Sequence, residues 1–207
     1  PMGIPKPSSV VIGTALRQSL GYGYKVIAHV RLGDVNPVAL ASLVMGAEVV
    51  ELDGILITVG DKPAYGTFVN QMYTDHAIEF LRNTIGVRIA LGAILSLRYD
   101  LNAISSRVRK PFDFFHAMRV SRNNIDVLSR VSEIVSSLGK KLYAYIIVAT
   151  PRNREFVETE LKQPFIGINE LRSFVEDVKD LVNGVIISCP LDGEGRIEAV
   201  KLLHRIA

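Results

Sequence analysis

His29 and Arg31 sit two residues apart at the end of the run KVIAHVR, and Thr58, Gly60 and Asp61 close the run LDGILITVGD. A histidine near the polar end of an otherwise apolar strand could contact a ligand, and Arg31 stands at the same strand end. A carboxylate such as Asp61 can tune the electronics of a polar ring, while Gly60 lets a flat ligand approach the backbone. Asn36, between the two runs, adds a polar side chain. Structural readings stand beside these: a core histidine bonded to a carbonyl, a Gly-Asp turn, and a surface pair between Arg31 and Asp34.

The elements that must hold these groups follow from pattern. KVIAHV reads as a buried strand with Lys25, Ile27, His29 and Arg31 on one face and Val26, Ala28 and Val30 on the other. Asn36 caps a helix, Pro37 fits its first turn, and Leu40, Leu43, Val44 and Ala47 recur along one side. The second strand ends at Gly60-Asp61, so both polar strand ends fall on one edge of a parallel sheet. That carboxyl edge is where α/β proteins bind ligands.

The rest of the chain continues the alternation. Ser8 and Ser9 open a helix with apolar spacing through Ile12, Ala15, Leu16 and Leu20, and their amides and hydroxyls could face a phosphate. A helix over 70–83, a strand over 87–91 running into the looser GAILSL, a short helix over 101–107 and a strand over 112–118 follow. Next come a helix closed by Gly139, the buried strand LYAYIIVA at 142–149, a helix over 170–181, a strand at 185–188 and a helix over 195–206. The pattern predicts six strands with a helix in front, in units of about 30 residues, which is the length of a β–α unit. Parallel strands with right-handed crossovers suit an open doubly wound sheet or part of a barrel.

Composition narrows the function classes. The 207 residues suffice for one sizeable core, read as a single domain over 1–207. Twenty-four Lys and Arg against 21 Asp and Glu leave a net charge of +3, too small and scattered to imply a nucleic-acid partner. The single Cys189 makes no internal disulfide, and no histidine–acid constellation has metal spacing. No apolar run reaches membrane-spanning length and no leader is evident, so a soluble cytoplasmic protein is the default expectation. His76 and His116 read as packing residues.

The passages PKPSSVVIG and HVRLGDVNPVALASLVMGAEVVELDGILITVGDKP resemble methylenetetrahydrofolate reductases, flavoproteins on a (β/α)8 barrel. The resemblance implies a TIM-barrel-like fold lacking its first two strands, with FAD, or alternatively FMN, as cofactor. NAD(P)H would serve as donor and tetrahydrofolate or a related pterin as one-carbon partner. It places Ser9, His29, Arg31, Asn36, Thr58 and Gly60 around the flavin, with Asp61 as the catalytic group beside the ring. Arg107 stands where the family has a lysine, and Met118 where it has a folate-contacting glutamine. An open barrel edge would need a partner polypeptide or a second copy of the chain. The competing readings are a catalytically silent barrel subunit and a different phosphate-binding barrel, the latter using the amino end of the last helix around Gly193 and Gly195.

Overall fold

The computed structural model describes residues 6–69 and 71–204. The chain divides into two compact units, one holding the residues up to Ile94 together with Arg109–Phe114, the other Leu95–Val108 and the chain from Phe115 onward. Unit 1 opens with α1 (Ser9–Leu20), β1 (Ile27–Arg31), α2 (Pro37–Val49) and β2 (Gly54–Thr58). It continues through α3 (Thr74–Glu79), extended by a π-helical stretch Phe80–Ile85, and most of β3 (Ala90–Ser96). Strand β1 pairs in parallel with β2, and β2 with β3; Arg31 is the register partner of Thr58.

Unit 2 carries α4 (Leu101–Val108), most of β4 (Phe114–Met118), α5 (Ile125–Ser137) and β5 (Lys141–Ala149). It ends with α6 (Arg154–Phe156), β6 (Ile166–Gly167), α7 (Leu171–Val178), β7 (Gly184–Ser188) and α8 (Gly193–His204). Strand β5 pairs in parallel with both β6 and β7, β7 along Tyr143–Ile147 and β6 beyond it at Val148 and Ala149. Leu128, Val131 and Val135 of α5 and Leu171, Phe174, Val175 and Val178 of α7 are buried, as their spacing requires.

Seven strands lie among the described residues, one more than the sequence pattern predicts. The extra one, β6, is two residues long and leaves no periodicity to read. Strand β3 also lies later than expected, taking in the GAILS placed partly in a loop. Gly92 opens that looser passage, and a Cβ there would come within 2.1 Å of the Phe114 ring. The glycine makes room for a neighbouring aromatic inside the sheet. Asn70, the expected start of the third helix, lies outside the described residues, as does the expected end of the last one at Ile206.

Helix α1 spans its predicted residues but buries a different face. Val10, Gly13 and Arg17 are covered, whereas Ile12, Leu16 and Leu20 stand 48%, 44% and 48% exposed. Gly13 lies against Leu52 and Val26, where a Cβ would already touch at 3.1 and 3.3 Å. Arg17 reaches down to the amino ends of β1 and β2.

A single device recurs at those amino ends. Asp53, just before β2, donates its N–H to Val26 O at 2.9 Å, and its carboxylate accepts from Val26 N at 2.7 Å. Asp113, just before β4, does the same with Leu91, at 2.8 and 2.7 Å. Asn183, just before β7, does it with Leu142, at 2.8 and 2.9 Å. In each case a short polar side chain closes the backbone ladder and sets the register from which the opposite edge is built. Arginines Arg17 and Arg82 then pair with Asp53 and Asp113.

Candidate functional site

The carboxyl edge of unit 1 gathers several of the predicted residues. Ala28 and Val30 are buried, so Ile27, His29 and Arg31 share the opposite face of β1. Beyond β2 the chain turns at Gly60, whose φ of +77° suits glycine. The Arg31 side chain lies across this turn so closely that a Cβ on Gly60 would be 2.4 Å from Nε. Arg31 Nη2 donates to the Asp61 carbonyl. Gly33 N donates to Val59 O at 3.0 Å and Val69 N to Gly33 O at 2.9 Å, which ties the two edge loops together.

Arg31 is incompletely satisfied. Its Nε is 3.2 Å from Asp34 Oδ2, close enough for an ion pair, yet the angles give no hydrogen bond and the atom is shielded from solvent. Distance and angle disagree here, and the angle decides, because hydrogen-bond strength falls steeply with misalignment. Among the described residues Nη1 has no hydrogen-bond or ion-pair partner either. The anticipated Arg31–Asp34 pair therefore forms, but it leaves donors to spare.

His29 retains solvent access on its side of the strand. The protein packed around it nevertheless strips enough hydration to hold its pKa below the ordinary 6.5. A neutral imidazole at pH 7 can accept a proton. It stands about 6.6 Å along the strand from Arg31, at the usual rise for two residues.

The other predicted residues have structural partners. Ser9 Oγ donates to His29 O and accepts from His29 N at 3.0 Å, closing the outer edge of β1 at that point. Asn36 Oδ1 accepts from Ala39 N at 2.9 Å and caps α2, as its position predicts. Thr58 ends β2 beside Arg31 in register. Asp61 meets Arg31 through its backbone carbonyl, and its residue is exposed. Arg107 is in the last turn of α4, within unit 2.

Unit 2 has a polar cluster at its own carboxyl edge that the sequence did not flag. Thr150, Asn153 and Asp192 are 2%, 1% and 5% exposed. Thr150 Oγ1 donates to Asp192 Oδ2 at 2.6 Å, and Gly195 N donates to Asp192 Oδ1 at 2.9 Å. Asn153 Oδ1 accepts from Thr150 N at 2.7 Å, and its amide donates to Val148 O at 3.1 Å. The Thr150 hydroxyl first, then the Gly195 amide and nearby Arg152, holds the Asp192 carboxyl below its ordinary pKa against the opposing cost of burial. A carboxylate of the chain thus already fills the end of α8 where Gly193 and Gly195 could have cradled a phosphate. Three polar residues spread over positions 150–192 give no linear motif from which this could be read.

No family model matches the chain, and no curated protein matches it. Among solved structures it resembles 2,3-dimethylmalate lyase, a PEP mutase/isocitrate lyase superfamily member, with a TM-score of 0.54 and 16% identity. The match covers 95% of this chain and 65% of the lyase chain, so the protein spans just under two thirds of that relative. The citrate synthase SbnG aligns at a TM-score of 0.38 and 13% identity, over 86% of this chain and 91% of that one, and carries no argument. The fold is therefore α/β with a parallel sheet core resembling an incomplete (β/α)8 barrel, a likeness of fold to that lyase.

This overturns the methylenetetrahydrofolate reductase resemblance. The structural likeness found is to 2,3-dimethylmalate lyase, not to a methylenetetrahydrofolate reductase. With it go the oxidoreductase activity, FAD or FMN as cofactor, NAD(P)H as donor and tetrahydrofolate or a pterin as partner. The geometry agrees at one point: the Ser9 hydroxyl assigned to the flavin is spent on the β1 backbone. The partner polypeptide or second copy expected to cover an open barrel edge was inferred from the two front strands that the resemblance left missing, and it goes with that resemblance. No group of three or more potential ligands for a metal ion occurs among the described residues, and no described helix is long and apolar enough to cross a membrane.

Proposed function

We propose that the protein is a barrel-type enzyme acting on a small carboxylic acid, bound at the carboxyl edge of unit 1 with Arg31 reading the carboxylate. The observation that carries this is the unspent capacity of Arg31. Its Nε is shielded without a hydrogen bond and its Nη1 has no partner among the described residues, at the strand end where barrels bind ligands. A carboxylate supplies two acceptor oxygens in the plane of the fork and makes charge-assisted bonds. It would engage Nη1 and draw the guanidinium from its weakly aligned contact with Asp34.

His29 supplies the second function. With its pKa held low it is neutral at pH 7, on the same strand face as Arg31, and is placed to take a proton from the bound acid. Thr58, opposite Arg31 in register, offers a hydroxyl to the same ligand. Gly60 keeps the floor of the site open to the arginine, and Asp61 orients it through its carbonyl. The likeness to 2,3-dimethylmalate lyase supports the choice of acid over other anions.

The test is isothermal titration of a panel of small mono-, di- and tricarboxylic acids, succinate and malate among them, against the matching neutral amides. Saturable binding of at least one acid and none of the amides is the expected result. Silence across the whole panel would sink the proposal.

A further inference from the structure

Unit 2 contains two neighbouring arginines with no acid partner among the described residues. We propose that Arg98 and Arg119 form an anion site for one carboxylate or phosphate group, at the ends of β3 and β4 within unit 2. The inference does not rest on Arg31.

Leu97 N donates to Met118 O at 3.1 Å, so the residues that follow, Arg98 and Arg119, leave the sheet side by side. Three other arginines of unit 2 are matched to acids: Arg122 to Asp177, Arg152 to Glu194 and Arg154 to Glu158. Arg98 instead lies over the Tyr99 ring, 4.8 Å from its centre, and donates to the Tyr99 hydroxyl at 2.7 Å. The neighbouring acid, Asp100, is already engaged, accepting from Asn102 N and Ala103 N at 2.9 Å each to cap α4. The Arg119 guanidinium has no carboxylate partner among the described residues, although the residue is only partly exposed.

Backbone geometry sets Arg119 apart. Its φ is +67°, a region that costs a residue bearing a Cβ about 1 kcal/mol. The conformation is held from outside: Asn124 Nδ2 donates to Arg119 O at 2.8 Å, while Asn124 Oδ1 accepts from Ser121 N at 2.9 Å in a capping box. A turn of this shape favours Gly or Asn if closure is all it does. An arginine held there by a dedicated hydrogen bond to its carbonyl is a strained residue at a strand end, which is where binding residues collect. Two arginines that leave adjacent strand ends, one braced on an aromatic ring, are close enough along the backbone to be offered to a single oxyanion.

The experiment uses the full chain labelled with 15N, titrated in parallel with inorganic phosphate and with succinate. The backbone amides of residues 97–99 and 119–121 are expected to shift saturably with one probe or both, and the tighter probe identifies the anion class. Arg119→Gly should relieve the backbone strain, leaving Tm unchanged or raised, while weakening binding about tenfold or more. Arg119→Lys should fall between, and Arg31→Ala should leave these shifts in place. No saturable shift with either probe overturns the site. Equal affinity in Arg119→Gly and the unaltered protein overturns it too, and shows that the residue only closes a turn.

Discussion

Two arginines of unit 1, at opposite ends of the same pair of strands, are treated very differently. At the amino edge Arg17 is 7% exposed and places each nitrogen on an acceptor: Nε on Glu51 O at 3.1 Å, Nη1 on Gly21 O and Tyr24 O at 3.0 Å each, and Nη2 on Asp53. At the carboxyl edge Arg31 has one sound hydrogen bond and one misaligned ion pair. A buried cation whose donors are all met by the chain is a structural part, holding register and helix position. One left with open donors beside a strand end has capacity reserved for something the chain does not supply.

Breaking the amino-edge arginine should therefore cost the most stability. Arg17→Met strands the Asp53 carboxylate and three carbonyls, and should lower unfolding stability by about 3 kcal/mol in urea titration. Gly60→Ala comes next. The Cβ meets Arg31 Nε at 2.4 Å and forces an L residue to φ +77°, so a loss of about 1–2 kcal/mol should accompany a displaced arginine and impaired acid binding. Arg31→Ala should cost about 0–1 kcal/mol, because its partly exposed ion pair with Asp34 contributes little. A cost comparable to that of Arg17→Met would erase the contrast between the two edges.

The smallest effect is that of pH on His29. Its native pKa lies below the ordinary 6.5, so the unfolded chain binds the proton first. Stability should decline as pH falls through 6.5 toward the native value and be unaffected by this group above 6.5. In His29→Gln that part of the slope should disappear, as followed by Tm across the range. A slope unchanged by the substitution would show that the ring is fully hydrated.

Much of the architecture could be read because burial writes itself into runs and repeats. The strand LYAYIIVA, the Asn36-Pro37 helix start and the spacing of α5 and α7 all correspond to what forms. What could not be read depended on partners distant in sequence. Gly92 opens a passage that reads as loose until Phe114 arrives beside it, and β6 is too short for any period. Ile12, Leu16 and Leu20 suggest the buried face of α1, yet the close fit of Gly13 and the reach of Arg17 choose another. At the site, the sequence offered His29, Arg31 and Gly60 as chemistry-bearing groups, and Arg31 does lie on Gly60. Nothing in it distinguished a spent arginine from an unspent one, because that depends on angles at Asp34 and on where the Asp61 carbonyl points. The ligand chemistry suggested by motif resemblance failed because short matching passages do not fix a family, and the likeness found among solved structures is to 2,3-dimethylmalate lyase.

The most direct test of the central claim is the Arg31 Nε–H signal in protein carrying 15N-labelled arginine, followed during titration with succinate alongside the Kd. An arginine that reads the carboxylate predicts a saturable shift of that signal at the same midpoint as binding. It also predicts a Kd weakened about tenfold or more in Arg31→Lys, which keeps the charge but loses the fork. An unmoved Nε–H signal at saturating acid, with equal affinity in Arg31→Lys, would contradict it.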